Sequence, residues 1–384
     1  MGRSDAGLAG RARRSDIDLL RVVACYLAFP FHSALIFGSV PYYHVKSAIQ
    51  SPVFDVFTDF VHLWRMPLFF LIAGWSACAV LGRRTNRAFL RERIERLLVP
   101  FAFGLILLCP VIKYIERRGG IDLRPGGARF GEAFDLSLLE FLPRFFSRLD
   151  QFTWSHFWFL AYLMLFSVIW LPLLRRFAAM RPLEGSGWIY ALLGPLLLIQ
   201  VVLRPIFGEW YNLYSDWASL GYFSIFFLAG AMLARHSALE DAVRRHWPLT
   251  ATLAAAAFAA RLATENPAVR DMLGGVVGWG CVLALLGAFR QWQNAHGPAL
   301  VYLRDSALPI YILHQLPVVA IGAWITSLPL PLPLQFLAVL AGATTLTLGA
   351  YHFLVRPWPW ARRLLGMRPI PPHPAPVPAP QRAR

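Results

Sequence analysis

The stretch IDLLRVVACYLAFPFHSALIF, Ile17 to Phe37, is almost entirely apolar and is long enough to cross a lipid bilayer as a helix. It nevertheless contains Asp18, Arg21 and His32, and ionisable side chains inside a bilayer are costly and usually functional. On a helix with about 100° per residue, Arg21 and His32 lie within about 20° of each other, with Asp18 beside Arg21. A polar stripe is therefore predicted, from an ion pair at one end to a histidine deep in the span.

The composition is that of an integral membrane protein. Of the 384 residues, 57% are hydrophobic and only 15% are charged, whereas soluble proteins average about 25% charged residues. The net charge of +16 would suit a nucleic-acid partner, but the arginines cluster between long apolar runs instead of lining one amphipathic face. We therefore expect a chain whose partner is the lipid bilayer, with no nucleic-acid partner.

The four cysteines predict neither a structural disulfide nor a metal site. Cys25, Cys78, Cys109 and Cys281 all lie in apolar segments and show no paired or metal-ligand spacing. A thiol in such a segment behaves as a small hydrophobic side chain. We expect no bound metal.

Runs of about 20 mostly apolar residues, the length of a membrane-spanning helix, recur along the chain. They predict an all-α integral membrane protein, a bundle of about ten transmembrane helices. The segment 247–263 is rich in alanine and gives the weakest signal. The predicted spans are 17–40, 53–81, 97–115, 154–174, 188–207, 217–234, 247–263, 272–289, 306–326 and 332–355.

Basic residues decide the orientation of these spans. Lys and Arg accumulate in cytoplasmic loops, and an N-terminus inside the cell puts the arginine-rich loops on one side, while the long loop 116–152 is charge-balanced. Both termini are therefore predicted to be cytoplasmic. We expect a basic N-terminus at 1–16, a transmembrane domain at 17–356, and a Pro- and Arg-rich tail at 357–384 that is predicted to be disordered.

Further polar residues lie in the predicted spans. Arg65, in HLWRMPLFFLIAGW, faces either an ion-pair partner in the bundle or an anionic group of a ligand. His156 and Trp158 open the fourth span in WSHFWFLAYLM, where they belong to an aromatic belt at the membrane interface or line an outer cleft. Tyr311 and His314, in DSALPIYILHQLP, lie about mid-membrane, where a polar pair needs a function or a partner.

An arginine-rich helix, RRTNRAFLRERIERLLVP, precedes the third span. Arg93 and Arg96 lie about one turn apart within it. The cluster is explained either by the preference of cytoplasmic loops for positive charge or by a phosphorylated ligand, since guanidinium groups match phosphate. Similarly, Asp18 and Arg21 either end a helix at the headgroups, with Arg21 snorkelling to water, or take part in a site.

Several motifs, in this order and spacing, match one family. They are IDLLR with ten residues between Arg21 and His32, then WRMPLFFLIAGW, RERIERLLVP, HFWFLAYLM, YFSIFFLAG and LPIYILH. The sequence resembles the acyltransferase family 3 membrane proteins, and within them the succinyltransferase-like glucan biosynthesis protein C group. The resemblance covers nearly the whole apolar part of the chain.

The resemblance implies a membrane-bound O-acyltransferase in the bacterial inner membrane. It would move a succinyl or acetyl group from a cytoplasmic donor, acyl-CoA as co-substrate, to a hydroxyl of an extracytoplasmic carbohydrate such as a periplasmic glucan. No tightly bound cofactor is expected. His32 would be the catalytic histidine, Arg21 the motif arginine, and Arg93 and Arg96 would lie at the donor entrance.

The chemistry of the residues is compatible with that activity. A histidine can remove the proton of a sugar hydroxyl as it attacks a thioester, or it can be transiently acylated, and the sequence does not choose between the two. Asp18 is predicted to orient Arg21, and Arg65 to hold the carboxylate of a succinyl group. The residues predicted on the substrate side are Asp18, Arg65, His156, Trp158 and His314.

Two other functions use the same residues. A transporter or flippase for a glycan or an acyl-bearing substrate would also place histidine and arginine inside the bundle. A non-catalytic partner in a polysaccharide assembly complex would not need His32 at all. Loss of acyl transfer in a His32→Ala variant distinguishes the enzyme from both.

Overall fold

Helices form most of the chain in the computed structural model, which describes residues 14–124, 127–132, 134–180 and 187–368. The helices of the first half are α1 (Ser15–Tyr26), α2 (Ala28–Phe37), α3 (Pro52–Leu81), α4 (Asn86–Arg93), α5 (Val99–Phe103), α6 (Cys109–Arg118), α7 (Leu138–Ser147), α8 (Trp158–Ile169) and α9 (Leu171–Ala179). Those of the second half are α10 (Trp188–Ala191), α11 (Leu193–Leu198), α12 (Trp217–Leu233), α13 (Ser237–Ala263), α14 (Pro267–Phe289), α15 (Pro298–Leu313), α16 (Gln315–Ile325), α17 (Leu332–Gly349) and α18 (Pro359–Leu364).

Shorter elements connect these helices. An antiparallel hairpin of β1 (Ile121–Arg124) and β2 (Gly127–Phe130) follows α6, with Ile121 opposite Phe130. Wider π-helical turns continue several of the helices, and 3₁₀ turns adjoin two others. The π turns are Ile94–Leu98, Gly104–Leu108, Ile199–Leu203 and Ala350–Val355, and the 3₁₀ turns are Ser155–Phe157 and Arg290–Trp292.

The described residues contain five continuous helices that are long and apolar enough to cross a membrane, and up to eight spans if each of three bent pairs counts as one. The five are Ser15–Phe37, Pro52–Leu81, Asn86–Arg118, Pro267–Trp292 and Leu332–Val355. The bent pairs are α8 with α9 (62°), α12 with α13 (110°) and α15 with α16 (57°). The all-α membrane class is thus confirmed, whereas the number ten and the orientation of the termini stay predictions.

Helix α3 packs tightly against α12 at the centre of the largest apolar core. A Cβ on Gly74 would overlap the backbone carbonyl of Phe227, and one on Gly230 would overlap the carbonyl of Leu71. The two helices therefore touch through their backbones, which small residues permit in membrane bundles. Beside this contact, Phe70 stacks on the ring of Phe223 at 4.6 Å.

The first part of the predicted tail is ordered, contrary to the disorder expected for 357–384. Helix α18 lies within it, Leu365 is buried, and the carbonyl of Gly366 accepts a hydrogen bond from Arg96 Nε at 3.3 Å. These contacts tie residues up to 368 to the arginine-rich helix. Residues 369–384 of the predicted tail, and residues 1–13 of the predicted N-terminal segment, lie outside the described residues, so the domain boundaries stay predictions.

Candidate active site

Three histidines from distant parts of the chain meet inside the bundle. His32 lies in α2, His156 in the turn before α8, and His314 between α15 and α16. The ring centroids of His32 and His314 are 5.0 Å apart, and those of His156 and His314 are 5.1 Å apart. The structure therefore brings together three of the predicted site residues.

Prolines interrupt the helices on which two of these histidines lie. Pro30 has no N–H for the carbonyl four residues earlier, and the first span breaks at Leu27. Pro317 likewise has no N–H for the carbonyl of Leu313, where α15 ends and the chain bends by 57° into α16. The ninth predicted span is thus two helices, and His314 occupies the bend.

Backbone contacts fix which nitrogens of two of the rings carry hydrogen. His314 Nδ1 lies 2.9 Å from the carbonyl of Tyr311, and His156 Nε2 lies 3.3 Å from that of Ile312, so both nitrogens donate. The opposite nitrogens, and Nδ1 of His32, are buried with no hydrogen-bond partner among the described residues. Buried polar atoms are normally hydrogen-bonded, so each of these three nitrogens is available to a polar ligand.

Arg65 adds a buried positive charge beside the histidines. Its side chain is 7% exposed, and its guanidinium carbon lies 4.1 Å from the ring centroid of Phe31. The ionisable groups that act on its charge are Cys25 and tyrosines rather than carboxylates, and its Nε has no hydrogen-bond partner in the described part of the chain. Its own charge acts on both His32 and His314. Among the described residues no carboxylate forms an ion pair with Arg65, so none competes with an anionic ligand for its charge. Anion binding by Arg65 stays a prediction.

A fourth histidine, His44, lies next to this cluster in the loop after α2. The preceding residue, Tyr43, stacks on the ring of His32 with centroids 5.9 Å apart. His44 Nδ1 lies 2.5 Å from Oε2 of Glu116, and its Nε2 lies 3.1 Å from Oγ of Ser155. His44 thus joins the end of α6 to the turn that carries His156.

A buried charge network fixes the position of Glu116. Lys113 donates to Oε1 of Glu116 at 2.5 Å and to Oδ1 of Asp122 at 2.8 Å, and these three side chains are at most 1% exposed. Arg117 and Arg124 also pair with Asp122. Burial alone would raise the pKa of the Asp122 carboxyl, but hydrogen bonds from Lys113 and Arg124 outweigh it and lower that pKa below its ordinary value.

The predicted donor-binding arginines lie apart from the histidines, around α4 and the start of α1. Arg21 pairs with Asp18 at 3.4 Å and its side chain is 35% exposed. Arg93 packs over the ring of Phe89, and its charge is affected by both Arg96 and Arg21. Arg93 is thus close enough to both other arginines for their charges to act on it, and the role of all three in donor binding stays a prediction.

Trp158 is not part of the histidine cluster. Its ring stacks on Tyr211 at 4.2 Å and on Phe223 at 5.7 Å, and it also meets the rings of three further aromatic residues, Phe70, Phe159 and Tyr162. Tyr211 in turn donates to Glu209 at 2.9 Å. Trp158 therefore packs among aromatic side chains. None of its ring contacts in the described residues is with His32, so its role in substrate binding stays a prediction.

Comparison with known proteins assigns the family. Residues 14–352 match the family model described as "Acyltransferase domain", which includes every predicted site residue. The chain belongs to acyltransferase family 3. This membership confirms the resemblance and the prediction that the protein is an acyltransferase, and it selects the enzyme over the transporter and the non-catalytic partner.

Relatives of this acyltransferase carry the name "Glucans biosynthesis protein C". The protein of that name from Escherichia coli O139:H28 (strain E24377A / ETEC) is 26% identical over 348 residues, and that from Salmonella gallinarum (strain 287/91 / NCTC 13346) is 24% identical over 342 residues. Each alignment covers 81% of this chain and 83% of the relative. No solved structure matches the chain significantly.

The sequence did not predict that His44 lies next to the histidine cluster, joined to Glu116 and Ser155. The sequence did contain one indication. Lys113 lies inside the predicted third span 97–115, and Glu116 is the first residue after that span. A charge in a span calls for a partner. The link from Glu116 through His44 to Ser155 joins three distant segments, and hydrophobic patterning cannot show which loops meet.

Proposed function

We propose that this acyltransferase moves a succinyl or acetyl group from acyl-CoA to a hydroxyl of a carbohydrate, such as a periplasmic glucan, across the bacterial inner membrane, with His32 as the catalytic residue. The observation that carries the proposal is the cluster of His32, His156 and His314, whose rings lie close together beside the buried charge of Arg65 and which each keep one buried nitrogen with no hydrogen-bond partner in the described chain. The names of the relatives support a glucan as acceptor.

The donor is proposed to enter at the arginine end. Acyl-CoA carries several phosphates at one end and its thioester at the end of a long, thin arm. Arg21, Arg93 and Arg96 suit the phosphates, because guanidinium groups form charge-assisted hydrogen bonds to phosphate oxygens. Along the first span, Arg21 and His32 are separated by about 16 Å of helix rise. A donor held by its phosphates would therefore extend its thioester toward His32. Because acyl-CoA is a cytoplasmic donor, this arrangement requires the arginine end of the span to face the cytoplasm.

The acceptor is proposed to approach from the side of the β hairpin. A polar cavity of about 340 Å³ lies there, and its walls include Arg117, Arg124, Arg144 and Gln151. These side chains offer many hydrogen-bond donors, which sugar hydroxyls accept. Arg117 and Arg124 also bind Asp122, so the cavity adjoins the charge network that ends at His44.

The proposed chemistry is proton removal from the acceptor hydroxyl. A free imidazole nitrogen of His32 takes that proton while the sugar oxygen attacks the thioester carbon. The unpartnered nitrogens of His156 and His314 hold the hydroxyl by accepting hydrogen bonds. Arg65 binds the terminal carboxylate of a succinyl group, which an acetyl group lacks.

Mass spectrometry of the surface and periplasmic glycans of a deletion strain tests the proposal. We expect one acyl substituent to disappear and to return with the wild-type gene, but not with His32→Gln. His352→Gln is the matched control, because His352 is an exposed histidine far along the chain in the turn after α17. Glycans unchanged by the deletion would overturn the proposed acceptor class, and full restoration by His32→Gln would overturn the role of His32.

A further inference from the structure

Ser155, His44 and Glu116 are joined in a chain of two hydrogen bonds. Glu116 accepts from Lys113 Nζ, from the backbone N–H of Leu123 at 2.7 Å and from His44 Nδ1, so it is a carboxylate surrounded by donors. With Nδ1 donating to Glu116, His44 presents the unprotonated Nε2 to the hydroxyl of Ser155, 3.1 Å away. A serine hydroxyl, an imidazole and a buried carboxylate in this order activate the serine as a nucleophile.

The backbone of Ser155 is consistent with that role. Its φ is +47°, in the left-handed region that residues with a Cβ rarely adopt. The conformation is held by a hydrogen bond from Ser155 N to Oγ1 of Thr153 at 3.0 Å, and by the turn that leads into α8. Strained residues of this kind persist where the surrounding structure fixes them, and they cluster at active sites.

The position of Ser155 connects it to the three-histidine cluster. It directly precedes His156, whose ring lies 5.1 Å from that of His314. His44 follows Tyr43, which stacks on His32, and the charge of His44 acts on His32. Ser155 thus lies between the histidine cluster and the charge network beside the polar cavity.

We propose that Ser155 is a nucleophile that carries the acyl group as a serine ester between donor and acceptor. The inference rests on the proposed function for the donor, an acyl thioester, and for the acceptor, a sugar hydroxyl. It replaces the direct attack of the sugar on the thioester with two steps through a serine ester. His32 keeps its role as the base for the sugar hydroxyl, His44 is the general base for Ser155, and Glu116 orients His44.

The two half-reactions balance. In the first, Ser155 Oγ attacks the thioester carbon and its proton passes to His44 Nε2. The C–S bond then breaks, and the leaving thiolate takes that proton from His44 and departs as the thiol of coenzyme A. In the second, the sugar oxygen attacks the ester carbon, its proton passes to His32, and the departing Ser155 Oγ takes up that proton as the C–Oγ bond breaks.

Trapping of the ester tests the inference. Purified full-length His32→Ala protein is incubated with acyl-CoA labelled in the acyl group, without any glycan, and digested for mass spectrometry. We expect label on the peptide that contains Ser155, because the first half-reaction does not need His32. The label should be absent from His32→Ala/Ser155→Ala and from His32→Ala/His44→Gln, and present in His32→Ala/Ser327→Ala, whose exposed serine lies after α16.

Glycan acylation by the single variants gives a second, independent measurement. We expect Ser155→Ala to slow transfer by about 10²-fold or more, with unchanged elution on size-exclusion chromatography, and Ser155→Cys to form a labelled thioester at the same position. Transfer by Ser155→Ala at the wild-type rate, or no label on Ser155 in His32→Ala, would overturn the inference. Wild-type protein that labels Ser155 but acylates no glycan would instead refute the proposed acceptor alone.

Discussion

The imidazole rings of His32 and His314 face each other at a centroid distance of 5.0 Å, although they come from opposite ends of the chain. Each lies on a span that is interrupted near a proline, at Leu27 in the first span and at His314 itself in the other. The chain bends by 57° at His314, whereas Ser15–Phe37 continues as one span through its interruption at Leu27. His314 donates from Nδ1 to the backbone, which leaves Nε2 buried with no partner among the described residues.

His314→Gln should therefore slow acyl transfer without affecting the affinity for the donor. The glutamine keeps a polar group but loses the rigid acceptor nitrogen that holds the acceptor hydroxyl. We expect kcat to fall by about 10²-fold and the KM for acyl-CoA to stay within about twofold. His296→Gln, at an exposed histidine before α15, is the control. An unchanged kcat would show that the cluster has no part in the reaction.

Arg65→Gln should change which acyl group is transferred. If Arg65 binds the succinyl carboxylate, its loss removes a charge-assisted hydrogen bond worth about 1.5–3 kcal/mol, or about 10- to 100-fold in kcat/KM. Acetyl transfer should fall much less. Competition between labelled succinyl-CoA and acetyl-CoA measures the ratio. Equal loss of both activities would contradict the assignment of Arg65 to the carboxylate.

Arg93→Gln should raise the KM for acyl-CoA by about tenfold, because it removes one charge-assisted contact to the phosphates. An acyl-pantetheine donor, which lacks the phosphates of the nucleotide end, should react equally well with the variant and the wild type. Arg91→Gln is the matched control on the same helix, since the Arg91 side chain is 81% exposed and pairs with Glu95. A tenfold effect with both donors would mean that Arg93 only supports the fold.

Stability should depend on pH through Asp122. Because the pKa of this carboxyl is lowered in the folded state, Asp122 stabilises the fold above the unfolded pKa, and this contribution is lost as the pH falls through the folded value. We expect the Tm in detergent to fall between about pH 4 and pH 2, and Asp122→Asn to have a lower Tm at pH 7 with a weaker dependence on acid. Glu95→Gln, at an exposed glutamate, should leave the dependence of Tm on pH unchanged. If Asp122→Asn showed the same dependence as the wild type, Asp122 would not be the source of the pH effect.

Much of the site could be predicted from the sequence, because a charge inside an apolar span is conspicuous. His32, Arg65, His156 and His314 were each identified in this way, and the structure places them together. Trp158 was chosen for its position at a span end, and it packs in an aromatic wall instead. Helical periodicity shows which face of a span is polar, but not which spans are neighbours.

The elements that the sequence did not reveal depend on long-range contacts or on local breaks. His44, Glu116 and Ser155 are ordinary polar residues of loops or helix ends until three segments meet. The interruption at Leu27 and the bend at His314 follow from Pro30 and Pro317, whose effect on a span is visible in the sequence only as a possible kink. The order of residues 357–368 depends on contacts to α4 and its neighbours.

Transfer across a reconstituted membrane tests the central claim most directly. Purified protein is placed in liposomes with glucan enclosed inside and labelled acyl-CoA outside, and the label on the glucan is counted for wild type, His32→Gln and the control His352→Gln. The account predicts labelled glucan with wild type and with His352→Gln, and a loss of at least about 10²-fold with His32→Gln. Wild-type labelling that occurs only when both substrates share one side, or full activity of His32→Gln, would contradict it.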